Sequence, residues 1–213
     1  MCLTTIYRNQ IQHSFESVRF MARGIQYGAT WTRLMELSNV FKAYDPATTE
    51  HRISRFKFNS VSGEVMSLFS EYVGTSTERS VDVESAVENM NIEFVDLLGA
   101  WKLGNYLGML DFQSEVVECM VTERVVRSIE RQAARALKAC WHELTWYTQA
   151  MIEEALCYRL SQLRKEIRSQ ITTGLGNVIC DRLKGKIGND FGNGGSVYQM
   201  ERPQLQDYDW TQL

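Results

Sequence analysis

Residues 93–120 constrain the fold of this 213-residue chain more than any other stretch. Their apolar side chains recur every three or four positions on both sides of a break at residues 105–111, which is the spacing of two amphipathic helices. Gly104 and Gly108 suit helix ends, where glycine readily adopts a left-handed conformation. The sequence therefore predicts a helical hairpin. The residues predicted to form its structural core are Phe94, Leu97, Leu98, Trp101, Leu107, Phe112, Val116 and Met120.

The residues before this hairpin alternate between strand-like and helix-like patterns. Residues 17–28 alternate in polarity around Gly24, a weak sign of a β-hairpin, and residues 53–58 also alternate as a half-buried strand does. Residues 31–41 and 60–73 have helical spacing instead. We therefore predict an α+β domain over residues 17–122, with a small sheet packed against helices. A polar leader, residues 1–16, precedes it.

Four segments of the chain resemble segments of a BTB/POZ domain of the fungal type, and they occur in the same order as in that family. The hairpin is similar to the family's "lv.awvlGDkLgmpdFqN.vi", and SGEVMSLFSEYVGT (62–75) is similar to its "pevfelfl.wlYtG". LMELSNVF (34–41) resembles the family's "L…S.fF", and EHRISRFKF (50–58) resembles the approach to its third strand. The chain departs from the family where "GDKL" becomes Gly104-Asn-Tyr-Leu and where the "VHK" before the first helix is missing.

The resemblance implies a protein–protein interaction module and not an enzyme. BTB/POZ domains homodimerise, bind cullin scaffolds as ubiquitin-ligase adaptors, or recruit transcriptional regulators. The expected partners are therefore proteins: a second copy of the chain, a cullin, or a transcriptional regulator. Since the family's dimer contact lies largely along its first helix and leading strand, Trp31, Leu34, Met35 and Leu37 are candidate interface residues. These apolar side chains could equally fill the core of the monomer.

The second half of the chain has a different character. Between residues 123 and 171 there is no proline or glycine, and the apolar spacing predicts a helical extension, residues 123–173. One long helix and two helices meeting near residues 141–147 are both compatible with the spacing. The glycines that follow predict a Gly-rich, flexible tail over residues 174–213.

A basic stripe runs along the predicted extension. Its five residues are spaced by three or four: Arg124, Arg127, Arg131, Arg135 and Lys138. Such a stripe is either a solvated helix face, partly neutralised by neighbouring glutamates, or a docking surface for an acidic partner or a nucleic-acid backbone. Two alternative functions follow. The chain could be a nucleic-acid-associated regulator, or a purely helical structural protein in which residues 93–171 form a bundle.

Motifs of catalysis and cofactor binding are missing from the sequence. His142 begins an HE pair that lacks the second histidine of HExxH, and neither a Walker pattern nor GxSxG occurs. The five cysteines form no CxxC pair, and we expect inert buried thiols. We therefore predict no enzyme activity, no metal, no cofactor and no small-molecule substrate.

Charge and hydropathy indicate the environment in which the chain works. The net charge is −3, with 10 basic and 15 acidic residues in 1–122 but 9 basic and 6 acidic residues in 123–171. An acidic body with a mildly basic helical arm disfavours nucleic acid as the main partner. Because the start of the chain lacks a signal-peptide pattern and no span reaches 18 apolar residues, we expect no membrane insertion and a cytoplasmic or nuclear location.

Overall fold

The computed structural model describes residues 17–43, 55–57, 61–74 and 81–187. The chain divides into two compact units, residues 1–129 (unit 1) and 130–213 (unit 2). Most of the described residues are helical and unit 1 also contains a small sheet, so the fold class is α+β, as the sequence predicts. The predicted leader, residues 1–16, and the last part of the predicted tail, residues 188–213, lie outside the described residues.

The sheet of unit 1 has three strands in the order β2-β1-β3. Strands β1 (Ser17–Ala22) and β2 (Ile25–Thr30) form an antiparallel hairpin whose two-residue turn has positive φ at Arg23 (49°) and Gly24 (83°). Turns of this kind match the twist of the strands they join. Strand β3 (Arg55–Lys57) pairs in parallel with β1. A purely helical protein, one of the alternatives drawn from the sequence, is therefore wrong.

Seven helices complete the described part of unit 1. They are α1 (Trp31–Leu37), α2 (Asn39–Lys42), α3 (Gly63–Val73), α4 (Val83–Met90), α5 (Phe94–Leu107), α6 (Leu110–Met120) and α7 (Glu123–Arg127). The sequence pattern at residues 31–41 predicts one helix, but Ser38 is extended (φ −116°, ψ 124°) and separates α1 from α2. The sequence analysis missed α4, which begins where the carboxylate of Asp82 accepts a hydrogen bond from Ser85 N at 2.8 Å.

The core of unit 1 is built around the α5–α6 hairpin. The hairpin turns at residues 108–109, more tightly than predicted, because Gly108 adopts a left-handed conformation (φ 63°) directly after α5. Gly104 lies inside α5 and not at a helix end. All eight residues that the sequence assigns to the structural core are buried. Edge-to-face aromatic contacts extend this core to the sheet, with ring centroids of Phe20 and Phe69 5.2 Å apart and those of Phe69 and Phe112 6.1 Å apart.

Unit 2 is helical throughout its described residues. It contains α8 (Arg131–Cys140), a 3-10 turn (Trp141–Glu143), α9 (Trp146–Ser161) and α10 (Lys165–Ile187). A break at 141–145 lies where the two-helix alternative places it, but the number of helices over residues 123–171 is wrong, because the chain also breaks at 128–130 and 162–164. The boundary between the two units lies between residues 129 and 130, seven residues after the predicted boundary between the α+β domain and the helical extension. The flexible tail cannot begin at 174, because α10 continues to Ile187.

At the break at residues 141–145, polar side chains end one helix and begin the next without glycine or proline. Thr145 caps α9 by accepting a hydrogen bond from Thr148 N at 3.2 Å. The amide of Gln149 donates to the carbonyls of Trp141 (2.8 Å) and Leu144 (3.1 Å). Backbone groups left unpaired where helices end are thus satisfied by side chains.

Glycines shape α10. Gly176 interrupts it with φ 75° and ψ 175°, a conformation that only glycine adopts readily. Gly174 allows α10 to approach α8, because a Cβ at this position would lie 2.8 Å from Ala134 Cβ and 2.9 Å from the carbonyl oxygen of Arg131. A larger residue at 174 would force these two helices apart.

Candidate interaction surfaces

The four candidate dimer residues divide between the core and the surface of unit 1. Trp31 and Leu34 are buried, and the Trp31 ring packs edge-to-face on Phe41 with centroids 5.6 Å apart. Met35 and Leu37 are half-buried. The predicted interface is therefore wrong for Trp31 and Leu34, which fill the monomer core, and only Met35 and Leu37 keep side-chain area available to a partner. The sequence pattern could not make this distinction, since all four lie in one apolar helix.

Hydrogen bonds attach α2 to the end of α5. The buried hydroxyl of Ser38 donates to the carbonyl of Leu107 and accepts a hydrogen bond from Phe41 N at 3.2 Å. Next to it, Asn39 N donates to the carbonyl of Gly108 at 3.2 Å. Gly108 is required there, because a Cβ would lie 3.2 Å from Asn39 Cβ and the left-handed φ disfavours other residues.

Three apolar side chains close in sequence to the Asn39–Gly108 hydrogen bond are exposed. Val40 (45% exposed), Tyr106 (72%) and Leu110 (50%) each lie within two residues of the Asn39–Gly108 hydrogen bond, and together we name them the turn surface. Among the described residues of unit 1, the one other large apolar side chain that is exposed is Ile25. Isolated exposed apolar residues are common, so these three are notable for their shared position beside one backbone hydrogen bond. The sequence analysis missed this surface, because Tyr106 and Leu110 fall within the predicted break.

Another part of α6 belongs to a polar network that involves α3 and α4. Glu115 accepts hydrogen bonds from Val83 N at 3.1 Å and from the hydroxyl of Tyr72. Burial, followed by the negative charges of Glu115 and Asp111, raises the pKa of Tyr72 above its ordinary range. Burial and the neighbouring carboxylates of Glu115 and Glu84 also raise the pKa of Glu118. The hydrogen bonds of Glu115 connect α3, α4 and α6, whereas burial and like charges disfavour the ionised form of Glu118.

The residues of the predicted basic stripe do not lie on one helix. Arg124 lies in α7, where its guanidinium donates to the carbonyl of Val87 at 3.1 Å. Arg127 pairs with Glu123 on the same helix. The chain then leaves the helical conformation, and Arg131, Arg135 and Lys138 belong to α8 of unit 2. The prediction of five cations on one helix face is wrong, because it assumed an unbroken helix.

Unit 2 contains a cluster of ionised side chains between α9 and the end of α10. Glu153 is only 3% exposed, and it pairs with Arg182 and, at 3.5 Å, with Lys186. Lys186 also pairs with Glu154 at 2.5 Å. Burial lowers the pKa of Lys186, but its hydrogen bond and charge contacts with Glu154 outweigh this effect and raise it. Two adjacent glutamates on a helix are usually solvated, but here Glu153 is buried and its charge is neutralised by cations of α10.

The described cysteines are buried: Cys119, Cys140, Cys157 and Cys180. Burial, with further contributions from nearby carboxylates, raises the pKa of Cys119 and of Cys157 to about 12. A thiol with such a pKa is almost fully protonated at neutral pH and is therefore a poor nucleophile and a poor metal ligand. In the described part of the chain, no group of three or more His, Cys, Asp or Glu side chains is placed to share a metal ion.

Comparisons with known proteins give no relative from which a function could be transferred. No protein-family model matches the chain, and no curated protein is similar to it in sequence. Among the helices of the described residues, none combines the length and the apolar character needed to cross a lipid bilayer.

Proposed function

We propose that the chain is a protein–protein interaction protein in which unit 1 is a BTB/POZ-like module that docks a partner protein through the turn surface. The observation that carries the proposal is the exposure of Val40, Tyr106 and Leu110, each within two residues along the chain of the hydrogen bond that joins α2 to the α5–α6 turn. A tyrosine between two aliphatic side chains is suited to a protein partner, because tyrosine combines a large apolar ring with a polar tip.

The order of elements supports the BTB/POZ part of the proposal. A β-hairpin leads into the first helix, a third strand returns in parallel beside β1, and a two-helix hairpin completes the core. The residues that resemble the family lie in this same order. Among those that the structure describes, Leu34, Phe41 and Phe69 lie in the core and Gly108 forms the turn of the closing hairpin. By this resemblance, a cullin scaffold and a transcriptional regulator are the first partners to test.

The turn surface can be tested by adding charge to it. Tyr106→Glu and Leu110→Glu should remove binding of the partner while circular dichroism stays unchanged, since at least half of each side chain is exposed. Ile25→Glu is the matched control, because Ile25 is 57% exposed and lies at the start of β2. The three variants and the original chain are each purified by affinity from the native host. Mass spectrometry then identifies the proteins that are recovered with some of these chains and not with others.

A protein lost with Tyr106→Glu and retained with Ile25→Glu is then purified and its affinity measured by calorimetry. A purified cullin N-terminal domain is assayed in parallel as a defined candidate. A loss of at least ~10-fold in affinity, corresponding to one central contact, would support the proposal. If every recovered protein binds all variants equally, the turn surface is not a docking site.

A further inference from the structure

The last part of α10 is separated from the rest of unit 2 by a single residue. We name residues 177–187 the strap. Gly176 precedes it with φ 75° and ψ 175°, so helix residues on both sides are joined by one hinge. The thiol of Cys180 donates to the carbonyl of Thr172 at 3.3 Å and so spans the hinge. Rotating Gly176 into the helical conformation would make residues 165–187 one straight helix and would lift the strap away.

Ion pairs attach the strap to α9. Arg182 pairs with the buried Glu153 and lies 5.8 Å from the ring of Trp141, a distance at which a guanidinium is attracted to an indole. Lys186, one helical turn further, pairs with Glu153 and Glu154. Two acidic groups on α9 therefore face two basic groups on the strap.

The strap also carries an apolar face. Ile179 and Leu183, spaced by four residues, are 1% and 0% exposed, and Cys180 beside them is 8% exposed. Apolar burial gives the contact its adhesion, and the ion pairs set the register of the strap on α9. A replacement for the strap must therefore present two apolar residues four apart, each followed three residues later by a cation.

The contact is built so that it can open. Arg182 and Lys186 keep 47% and 31% of their side-chain surface exposed, so only the buried Glu153 needs a new cation when the strap leaves. Straightening Gly176 also restores backbone hydrogen bonds that the break in α10 removes. The apolar face of the strap is then exposed to water, and a new groove is needed to cover it.

We propose that the strap is exchanged between two copies of the chain, so that residues 177–187 of each copy pack on α9 of the other. The second copy is the partner that the groove specifies, because its strap supplies the same apolar residues and the same two cations. Exchange of an identical element through a short hinge is an economical route to a symmetric dimer. This assembly uses unit 2 and is independent of the turn surface of unit 1.

Charge reversal on opposite sides of the contact tests the exchange. Variant A carries Glu153→Lys and Glu154→Lys, and variant B carries Arg182→Glu and Lys186→Glu. Within either variant every strap meets a groove of like charge. In a dimer of A with B, both exchanged straps meet a groove of opposite charge.

Native mass spectrometry of an equimolar mixture of the full-length variants should show an A–B dimer in at least ~10-fold excess over the A–A and B–B dimers, because like charges in contact disfavour the latter. If unit 1 alone holds copies together, the three dimers form in statistical proportion. That result, or a mixture that stays monomeric, would overturn strap exchange without affecting the turn surface.

A hinge variant keeps the proposal testable if variant A or variant B fails to fold. Gly176→Ala disfavours the bent form, since its Cβ would lie 2.8 Å from Lys138 Cε and alanine avoids positive φ. Light scattering should therefore show a larger dimer fraction for Gly176→Ala than for Gly185→Ala, whose Cβ would have nothing within 4 Å. Equal dimer fractions in these two variants would contradict the exchange.

Discussion

The hydroxyl of Ser38 donates a hydrogen bond to the backbone carbonyl of Leu107, 69 residues further along the chain. Ser38 is fully buried and extended, and it separates α1 from α2. The same oxygen caps α2 by accepting from Phe41 N at 3.2 Å. One small side chain therefore makes the break in a helix and holds that break against the end of α5.

Ser38→Ala should destabilise unit 1 by about 1–3 kcal/mol, because it leaves a buried carbonyl without its donor and removes a helix cap. Urea unfolding followed by circular dichroism measures the loss. Ser114→Ala, at a half-buried position inside α6, is the control and should change stability little. Equal stability of the two variants would show that the Ser38–Leu107 hydrogen bond contributes nothing.

Gly104→Ala tests the close approach of α5 and α6. Alanine favours a helix, but its Cβ would lie 2.8 Å from Gln113 Cγ and 3.0 Å from Phe112 Cδ1. We expect a net loss of about 1–3 kcal/mol, the cost of overpacking a core. Gly185→Ala, in α10 with open space around it, should instead gain up to ~1 kcal/mol from helix propensity. Opposite signs for the two substitutions are the expected result in urea unfolding.

Trp101 and Trp146 form a matched pair of core and surface residues. Trp101 is 2% exposed inside α5, whereas Trp146 is 69% exposed at the start of α9. Trp101→Ala should cost roughly 3–5 kcal/mol, the range for removing a buried aromatic side chain. Trp146→Ala should stay within about 0.5 kcal/mol of the original chain. Thermal melts of both variants make the comparison, and similar melting temperatures would contradict the helix phase assigned to α5.

Alkaline pH should destabilise the fold through its buried thiols. Burial raises the pKa of Cys119 and Cys157 from 9.0 to about 12, so the folded chain holds these protons more tightly than the unfolded chain. The stabilisation is complete below pH 9 and is lost as pH rises from 9 toward 12, by at most ~1.4 kcal/mol per pH unit for each thiol. Tyr72, whose pKa is also raised, adds a loss above pH 10.

Urea midpoints measured between pH 8 and pH 11 follow this loss, and Cys119→Ala should make the decline less steep. A midpoint that is constant over this pH range would mean that the thiols ionise as easily in the folded chain as in the unfolded one.

Much of unit 1 is readable from the sequence because its signals are local. The strand hairpin follows from alternation around Gly24, and the α5–α6 hairpin follows from apolar residues at helical spacing. The short helix α4 was missed, although Asp82 before it and the left-handed Asn91 after it are recognisable caps. Its apolar residues, Val83, Ala86 and Val87, span too few turns for periodicity to be distinctive.

The second half was predicted less well, because its boundaries depend on side-chain hydrogen bonds. The apolar spacing allows one long helix or two helices meeting near residues 141–147, and the break capped by Thr145 and Gln149 lies there. It gives no sign of the breaks at 128–130 and 162–164. Conversely, the glycines at 174 and 176 suggested a flexible tail, whereas Gly174 provides close packing against α8. A local sequence pattern shows neither tertiary contacts nor the exposure of Tyr106 and Leu110. The turn surface could therefore be recognised only from the structure.

The parallel pairing of β1 with β3 determines when unit 1 can become complete during synthesis. The β1–β2 hairpin closes over a two-residue turn, but Phe20 meets its partner Phe56 only after 35 intervening residues have left the ribosome. Contacts between residues so distant in the chain close slowly, because the entropy of the connecting loop is lost before the contact forms. Until then the newly made hairpin has an open edge along β1, and nascent chains on neighbouring ribosomes can pair with it.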